Sequence, residues 1–128
     1  MGIKSFEDLD SWKKAHQLRK DILVLLPKLP QVYQYGLCAQ LQRSCISVAS
    51  NIAEGFGRIS EKEKLHFYSI AEGSLTEVKD QVILARDLQL FSGEDSLRIL
   101  ELAEDVHKLI HGMMRYIRNT KVEIRNTA

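Results

Sequence analysis

Proline is nearly missing from this 128-residue chain, with two residues, and only two cysteines and one tryptophan are present. The two prolines, Pro27 and Pro30, fall in one short stretch and leave every other part of the chain free to form long helices. Few β-branched runs occur, so the composition argues for helix over sheet. Cys38 and Cys45 lie one heptad apart, about 10 Å along a helix axis, which excludes a disulfide within that helix. Two reduced thiols are therefore expected. No apolar run approaches the roughly 18 residues a membrane span needs, and the opening MGIKSFEDLD has neither the basic region nor the apolar block of a secretory signal. A cytoplasmic protein with no membrane role is the expectation.

One-signed charge is also lacking, because the formal net charge is +1. Its distribution is uneven. Residues 11–58 carry seven Lys/Arg against Asp21 and Glu54, and residues 72–105 carry nine Asp/Glu against Lys79, Arg86 and Arg98. Residues 115–128 turn basic again, with Arg115, Arg118, Lys121 and Arg125 against Glu123. Such blocks are either ordinary solvated helix faces or a bipolar surface that self-assembles or presents a basic face.

What is present in quantity is helical periodicity. The stretch from Tyr35 to Arg58 sets Leu37, Leu41, Cys45, Val48, Ile52 and Phe56 at steps of three and four, one face of an α-helix. Ser44, Ala49, Ala53 and Gly55 flank that face and allow close approach. An earlier stripe joins Ala15, Leu18, Ile22, Leu25 and Leu29 with Trp12, opened by a cap at Ser5 or Ser11 and stopped by Pro27. Gly55 or Gly57 is expected to end the second helix in left-handed geometry. Ser60 and Glu63 form a capping box for a third helix with the stripe Tyr68, Ala71, Leu75, Val78, Val82 and Ala85. Gly73 in its middle suggests close helix contact, at a cost of about 1 kcal/mol relative to alanine. Ser92 opens a fourth helix with the stripe Ile99, Ala103, Val106, Ile110, Met113 and Ile117. The expected fold is all-α, an antiparallel up-down-up-down four-helix bundle in one domain, with helices near 7–27, 34–57, 61–90 and 93–118 and a flexible tail over 119–128.

Motifs for chemistry are scarce. There is no G-x-S-x-G and no P-loop, and Ser44, Ser47 and Ser50 sit where hydroxyls usually bond back to the helix. Glu63-x-x-His66 and Glu104-x-x-His107 have the form of di-iron ligands, yet the helix reversal near residue 92 separates them by roughly 24 Å at about 1.5 Å per residue. His107 and His111, at i and i+4, read as a surface pair. No metal, cofactor or catalytic residue is expected. Helix reversals place Asn51 level with Trp12, and Arg43 level with Gly73 and close to Glu72 or Glu77. Arg43, Asn51, Glu54 and Glu77 are thus candidates for a structural polar network that fixes register.

Several of these residues resemble a known family. Phe6, Asp8, Leu9, Trp12, Ala15 and Leu18 fit its opening F-x-D-L-x-x-W-x-x-A-x-x-L, and Tyr35-Gly36-Leu37 with Gln40, Leu41 and Arg43 fits Y-G-L-x-x-Q-L-x-R. Asn51-Ile52-Ala53-Glu54-Gly55 fits its N-I-A-E-G, and Gly73-Ser74-Leu75, Glu77 and Leu84 to Leu88 fit its third helix. The chain resembles, over about residues 6–91, the four-helix proteins related to those encoded in intervening sequences of bacterial 23S ribosomal RNA. The resemblance implies a left-handed bundle, assembly as a homopentamer, and RNA as a partner. Ala49 stands where the family often has proline, which implies a straighter second helix. Gln42-Arg43 stands where it often has two basic residues, which removes one phosphate contact. The expected function is a non-enzymatic oligomeric scaffold that contacts RNA or a ribonucleoprotein through Lys13, Lys14, Arg19, Lys20, Arg43, Arg115, Arg118, Lys121 and Arg125. The alternative is a protein–protein adaptor with no nucleic-acid role, in which the basic first helix meets acidic helices of another copy.

Overall fold

The computed structural model describes residues 2–127, with side chains described for 2–120. Four α-helices account for most of the chain: α1 (Asp10–Leu23), α2 (Ala39–Phe56), α3 (Glu61–Asp87) and α4 (Gly93–Thr127). No strand occurs among the described residues. Each helix packs on two others, α1 on α2 and α4, and α3 on α2 and α4, with the α2–α3 contact the most extensive.

The ends of the helices follow from local chemistry. Ahead of α1, Ser5 caps a short 3-10 turn at Phe6–Asp8. The Asp8 carboxylate accepts the Lys4 and Ser5 N–H groups at 2.9 and 3.1 Å, and these bonds hold its carboxyl below the usual carboxylate range. The α-helix then starts at Asp10 with no side-chain cap, so neither candidate serine caps α1 itself. Helix α1 stops four residues before Pro27, at Leu23, because a proline ring collides with the carbonyl four residues earlier. A 3-10 turn, Leu26–Lys28, follows, so Leu26 and Leu29 enter the core while Leu25 is only half-buried.

The approach to α2 is a π-helical turn, Gln34–Cys38. The Gln34 amide donates to the carbonyls of both Leu26 and Leu29 at 2.9 Å, which ties the reversal to the end of the preceding segment. At the far end of α2 the glycines act differently from expectation. Gly57 has φ −76°, so it is not left-handed. The carbonyls of Gly55 and Phe56 are instead satisfied by the Lys64 ammonium, at 3.2 and 2.7 Å. Gly55 is buried inside the helix against Tyr68 of α3, where an added Cβ would lie 2.6 Å from the ring's Cε1. It is a contact glycine. Gly73 is the reverse: it is exposed, with open space where a side chain would project, so the close packing expected there is absent within the chain.

Ser60 caps α3, accepting the Glu63 N–H at 3.1 Å. The helix ends in a Schellman-type turn: the Leu90 N–H reaches the Ala85 carbonyl at 2.8 Å and the Gln89 N–H reaches that of Arg86 at 2.9 Å. Gln89 supplies the left-handed residue at φ 60°, a place usually taken by glycine. Ser92 caps α4 through the Asp95 N–H at 3.0 Å. Helix α4 continues past the expected stop at Arg118, through Asn119 and Thr120. The remainder of the expected tail, residues 121–128, lies outside the residues whose side chains are described.

The core matches the periodic stripes closely. Leu18, Ile22, Leu41, Val48, Ile52, Leu75, Val78, Val82, Ile99, Val106 and Ile110 are completely buried. Near the C-terminal part of α4, Met114 is buried and Met113 is only partly so. Met113 instead takes the hydroxyl of buried Ser11 on its sulfur at 3.2 Å.

Candidate nucleic-acid interface and a histidine–carboxylate cluster

The expected polar network separates into three unconnected pieces. Arg43 pairs with Glu77 at 2.9 Å and also donates to Gln40, all exposed. Asn51 donates to the Ser47 carbonyl and hydroxyl at 2.9 Å, and Ser47 shares a 2.8 Å hydrogen bond with Ser74 of α3. Glu54 pairs with Arg58 one turn later on its own helix. A second part-buried polar link between α2 and α3 has a partner that periodicity does not reveal: Ser44 donates to the Gln81 amide oxygen at 2.6 Å. Small hydroxyls bridge the more buried part of this seam, and the Arg43–Glu77 pair bridges its exposed margin.

The nine cationic candidates are also sorted by their surroundings. Lys14 is paired with Asp105 of α4 at 3.3 Å. Arg19 is half-buried, its guanidinium donating to His16 Nδ1 at 3.0 Å and standing 5.9 Å from the Trp12 ring. The Trp12 and His16 rings stack at 4.7 Å, and Phe6 meets Trp12 edge-on at 5.1 Å. Burial, and then the Arg19 and Lys20 charges, hold the His16 imidazole below its ordinary value. Lys13, Lys20, Arg115 and Arg118 are exposed and make no ion pair among the described residues. Lys121 and Arg125 lie outside the residues whose side chains are described.

The C-terminal part of α4 gathers the surface features. An apolar groove of about 500 Å³ runs past Leu9, Tyr68, Met113, Tyr116 and Ile117, with Lys64 and Lys108 on its border. Tyr116 is 73% exposed there. A second, smaller recess of about 310 Å³ is formed by His111, Arg115, Arg118 and Asn119. Tyr116 and Lys108 belong to no stripe or charge block, and only the meeting of α4 with the starts of α1 and α3 reveals them.

His107 and His111 are joined by Glu72 of α3, and the three ligand-type atoms lie within 4.8 Å of one another. Lys79 connects the cluster outward, close to Glu104 and 2.8 Å from His107 Nδ1. The second motif histidine, His66, sits apart, edge-on to Phe67. Cys45 is inert by its setting, since burial pushes its thiol up to about 11.

The pattern that defines 23S rRNA-intervening sequence proteins matches residues 7–112. The chain belongs to that family. In this 23S rRNA-intervening sequence family member, α1 to α3 and most of α4 fall inside the matched span. A crystal structure of a protein of unknown function from the S23 ribosomal protein family of Bacteroides thetaiotaomicron superposes with a TM-score of 0.76, at 19% identity, over 81% of this chain and 97% of that one. At that identity the likeness concerns the fold alone. No match was found among curated proteins. No helix among the described residues is long and apolar enough to cross a membrane.

Proposed function

We propose that this protein is a non-enzymatic, oligomeric helical scaffold of the cytoplasm that binds RNA at the C-terminal part of α4. The observation that carries the reading is an exposed aromatic ring, Tyr116, on the same turns of α4 as two exposed cations, Arg115 and Arg118, that form an adjoining recess. Tyr116 borders the groove, Arg115 and Arg118 are unpaired among the described residues, and Lys108 stands on the groove's edge. Single-stranded nucleic acid is held by this combination, bases stacking on aromatic faces and phosphates meeting Lys and Arg. Lys13 and Lys20 are the exposed cations of α1 that pair with no acid among the described residues. Lys14, Arg19 and Arg43 contribute less because each already serves an internal partner.

The scaffold itself is read as an antiparallel, left-handed up-down-up-down bundle. Support comes from pairs in which later residues of α2 meet earlier residues of α3: Arg43 with Glu77, Ser47 with Ser74, Gly55 with Tyr68. The homopentamer implied by the family resemblance belongs to the same proposal. Fluorescence anisotropy with a labelled single-stranded RNA is the direct test. Binding at low salt that weakens steeply as salt rises, and that weakens further in Arg115→Ala, Arg118→Ala and Tyr116→Ala, supports the reading. Absence of binding at low salt overturns it.

The adaptor reading keeps one supporting observation. Val32, Tyr35 and Leu97 are large apolar side chains left 80%, 88% and 60% exposed, and such residues suit contact with another chain. The electrostatic form of that reading is weakened by internal pairing, since α1 already meets α4 through Lys14–Asp105 and, with the signs reversed, through Asp21–Arg98. A chain that stays monomeric by light scattering at micromolar concentration removes both the ring and the adaptor built on it.

A further inference from the structure

We propose that Glu72, His107 and His111 form a binding site for a divalent first-row transition-metal ion, with zinc as the reference metal. The two histidines stand one turn apart on α4, the spacing that turns two imidazoles toward the same point. The carboxylate arrives from α3, so the site bridges two helices. His107 Nε2 lies 3.5 Å from a Glu72 carboxylate oxygen, and His111 Nε2 is in contact with the same oxygen. Metal–ligand bonds of about 2.0–2.1 Å put neighbouring ligands of a tetrahedral centre about 3.3 Å apart. The cluster therefore needs only small side-chain rotations to close on an ion.

Two further features favour an ion over a plain ion pair. Glu72 Oε2 is buried and faces both imidazoles, yet it meets neither in hydrogen-bond geometry and has no other partner among the described residues. A cation between the three groups would satisfy it. Two imidazoles and one carboxylate are also the donor set that zinc and its neighbours take when they keep open positions. The His111 side chain is 54% exposed, against 25% and 31% for His107 and Glu72, so the open positions face solvent on the His111 side.

One neighbour has to move when the ion binds. Lys79 sits 2.8 Å from His107 Nδ1 and is paired with Glu104. Ligation through Nε2 moves the imidazole proton to Nδ1, and Lys79 then gives up that nitrogen while keeping Glu104. A neutral imidazole keeps its one proton on ligation and only an imidazolium gives one up, so binding weakens on acidification. With α3 and α4 both engaged, the bound ion also stabilises the folded chain.

The test uses chelator-treated full-length protein titrated with Zn²⁺ against a chromophoric competitor, and with Co²⁺ followed by its visible absorption. The expected result is one equivalent of metal per chain and a rise in melting temperature on zinc addition. Glu72→Gln and His111→Ala should each weaken binding by about tenfold or more, while His66→Ala leaves it unchanged. Circular dichroism checks that each variant folds; His111 is exposed enough that its replacement tests the site without disturbing the core. Wild-type protein that takes up no stoichiometric metal overturns the proposal. So does Glu72→Gln binding zinc as tightly as wild type, which reduces the site to a surface histidine pair.

Discussion

Replacing Gly55 with alanine and replacing Gly73 with alanine are chemically the same change, made on the two helices that pack most extensively. They should act in opposite directions. At Gly55 the new methyl group meets Tyr68 Cε1 at 2.6 Å, Cδ1 at 2.9 Å and Phe67 Cβ at 3.2 Å. Tyr68 is only 4% exposed and its ring can yield only toward the groove it borders, while the Phe67 atom is anchored to the α3 backbone. Overpacking of this kind costs about 1–3 kcal/mol, partly offset by the helix propensity alanine gains over glycine, about 1 kcal/mol. The net expectation is a loss of up to about 2 kcal/mol. At Gly73 no atom lies within 4 Å of the new methyl, so only the gain of about 1 kcal/mol remains. Urea unfolding with a slope of about 2 kcal/mol per molar would separate the two variants by roughly 0.5–1.5 M in midpoint. Tyr68→Leu, which opens space beside Gly55, should reduce the penalty of the alanine when the two are combined. If Gly55→Ala gains as much stability as Gly73→Ala, the close α2–α3 approach is wrong; if Gly73→Ala is destabilised, the open space beside α3 is occupied in solution.

Three other expectations can be measured on the same protein. Gln89→Gly should stabilise by about 1 kcal/mol, because the left-handed conformation costs a residue with a Cβ roughly that much; an unchanged midpoint in chemical unfolding would contradict the turn geometry. Cys45 should resist an aromatic disulfide reagent near neutral pH until the protein is unfolded, since burial holds its thiol at about 11; rapid labelling of native protein would show the core to be open. His16 should titrate below free histidine in an NMR pH series and move upward in Arg19→Gln. Because its folded-state value is depressed, its contribution to stability is complete above the ordinary imidazole range and is lost as pH falls through that range and toward the depressed value. A His16 resonance that titrates at or above free histidine would contradict the stacked setting.

Periodicity made the four helices and nearly all of the core readable in advance. Ala15, Val48, Leu75, Val82 and Ile110 lie where steps of three and four put them, and Ser60 and Ser92 mark helix starts by the side-chain oxygens that serve them. The failures share a cause: they depend on what stands opposite a residue. Gly55 reads as a helix terminator and Gly73 as a packing residue until Tyr68 is known to cover the first and nothing the second. The same holds for the candidate sites. Two histidines one turn apart are visible in the chain, while their meeting with Glu72 depends on how α3 and α4 align, to within about one residue. Leu25 and Met113 gave way to Leu26 and Met114 for a local reason in the first case, the 3-10 turn imposed by Pro27.

Three of the four packed seams join consecutive helices, and these can form while little of the chain intervenes. The α1–α4 seam is different: it needs the first helix to find the last, with Ser11 reaching across to Met113 and Lys14 to Asp105. Closing such a separation carries the largest loop entropy in the molecule. It follows that this seam is the last to zip during folding and the first to part under mild stress, and amide exchange should register its neighbourhood as the softest flank of an otherwise sequentially assembled protein.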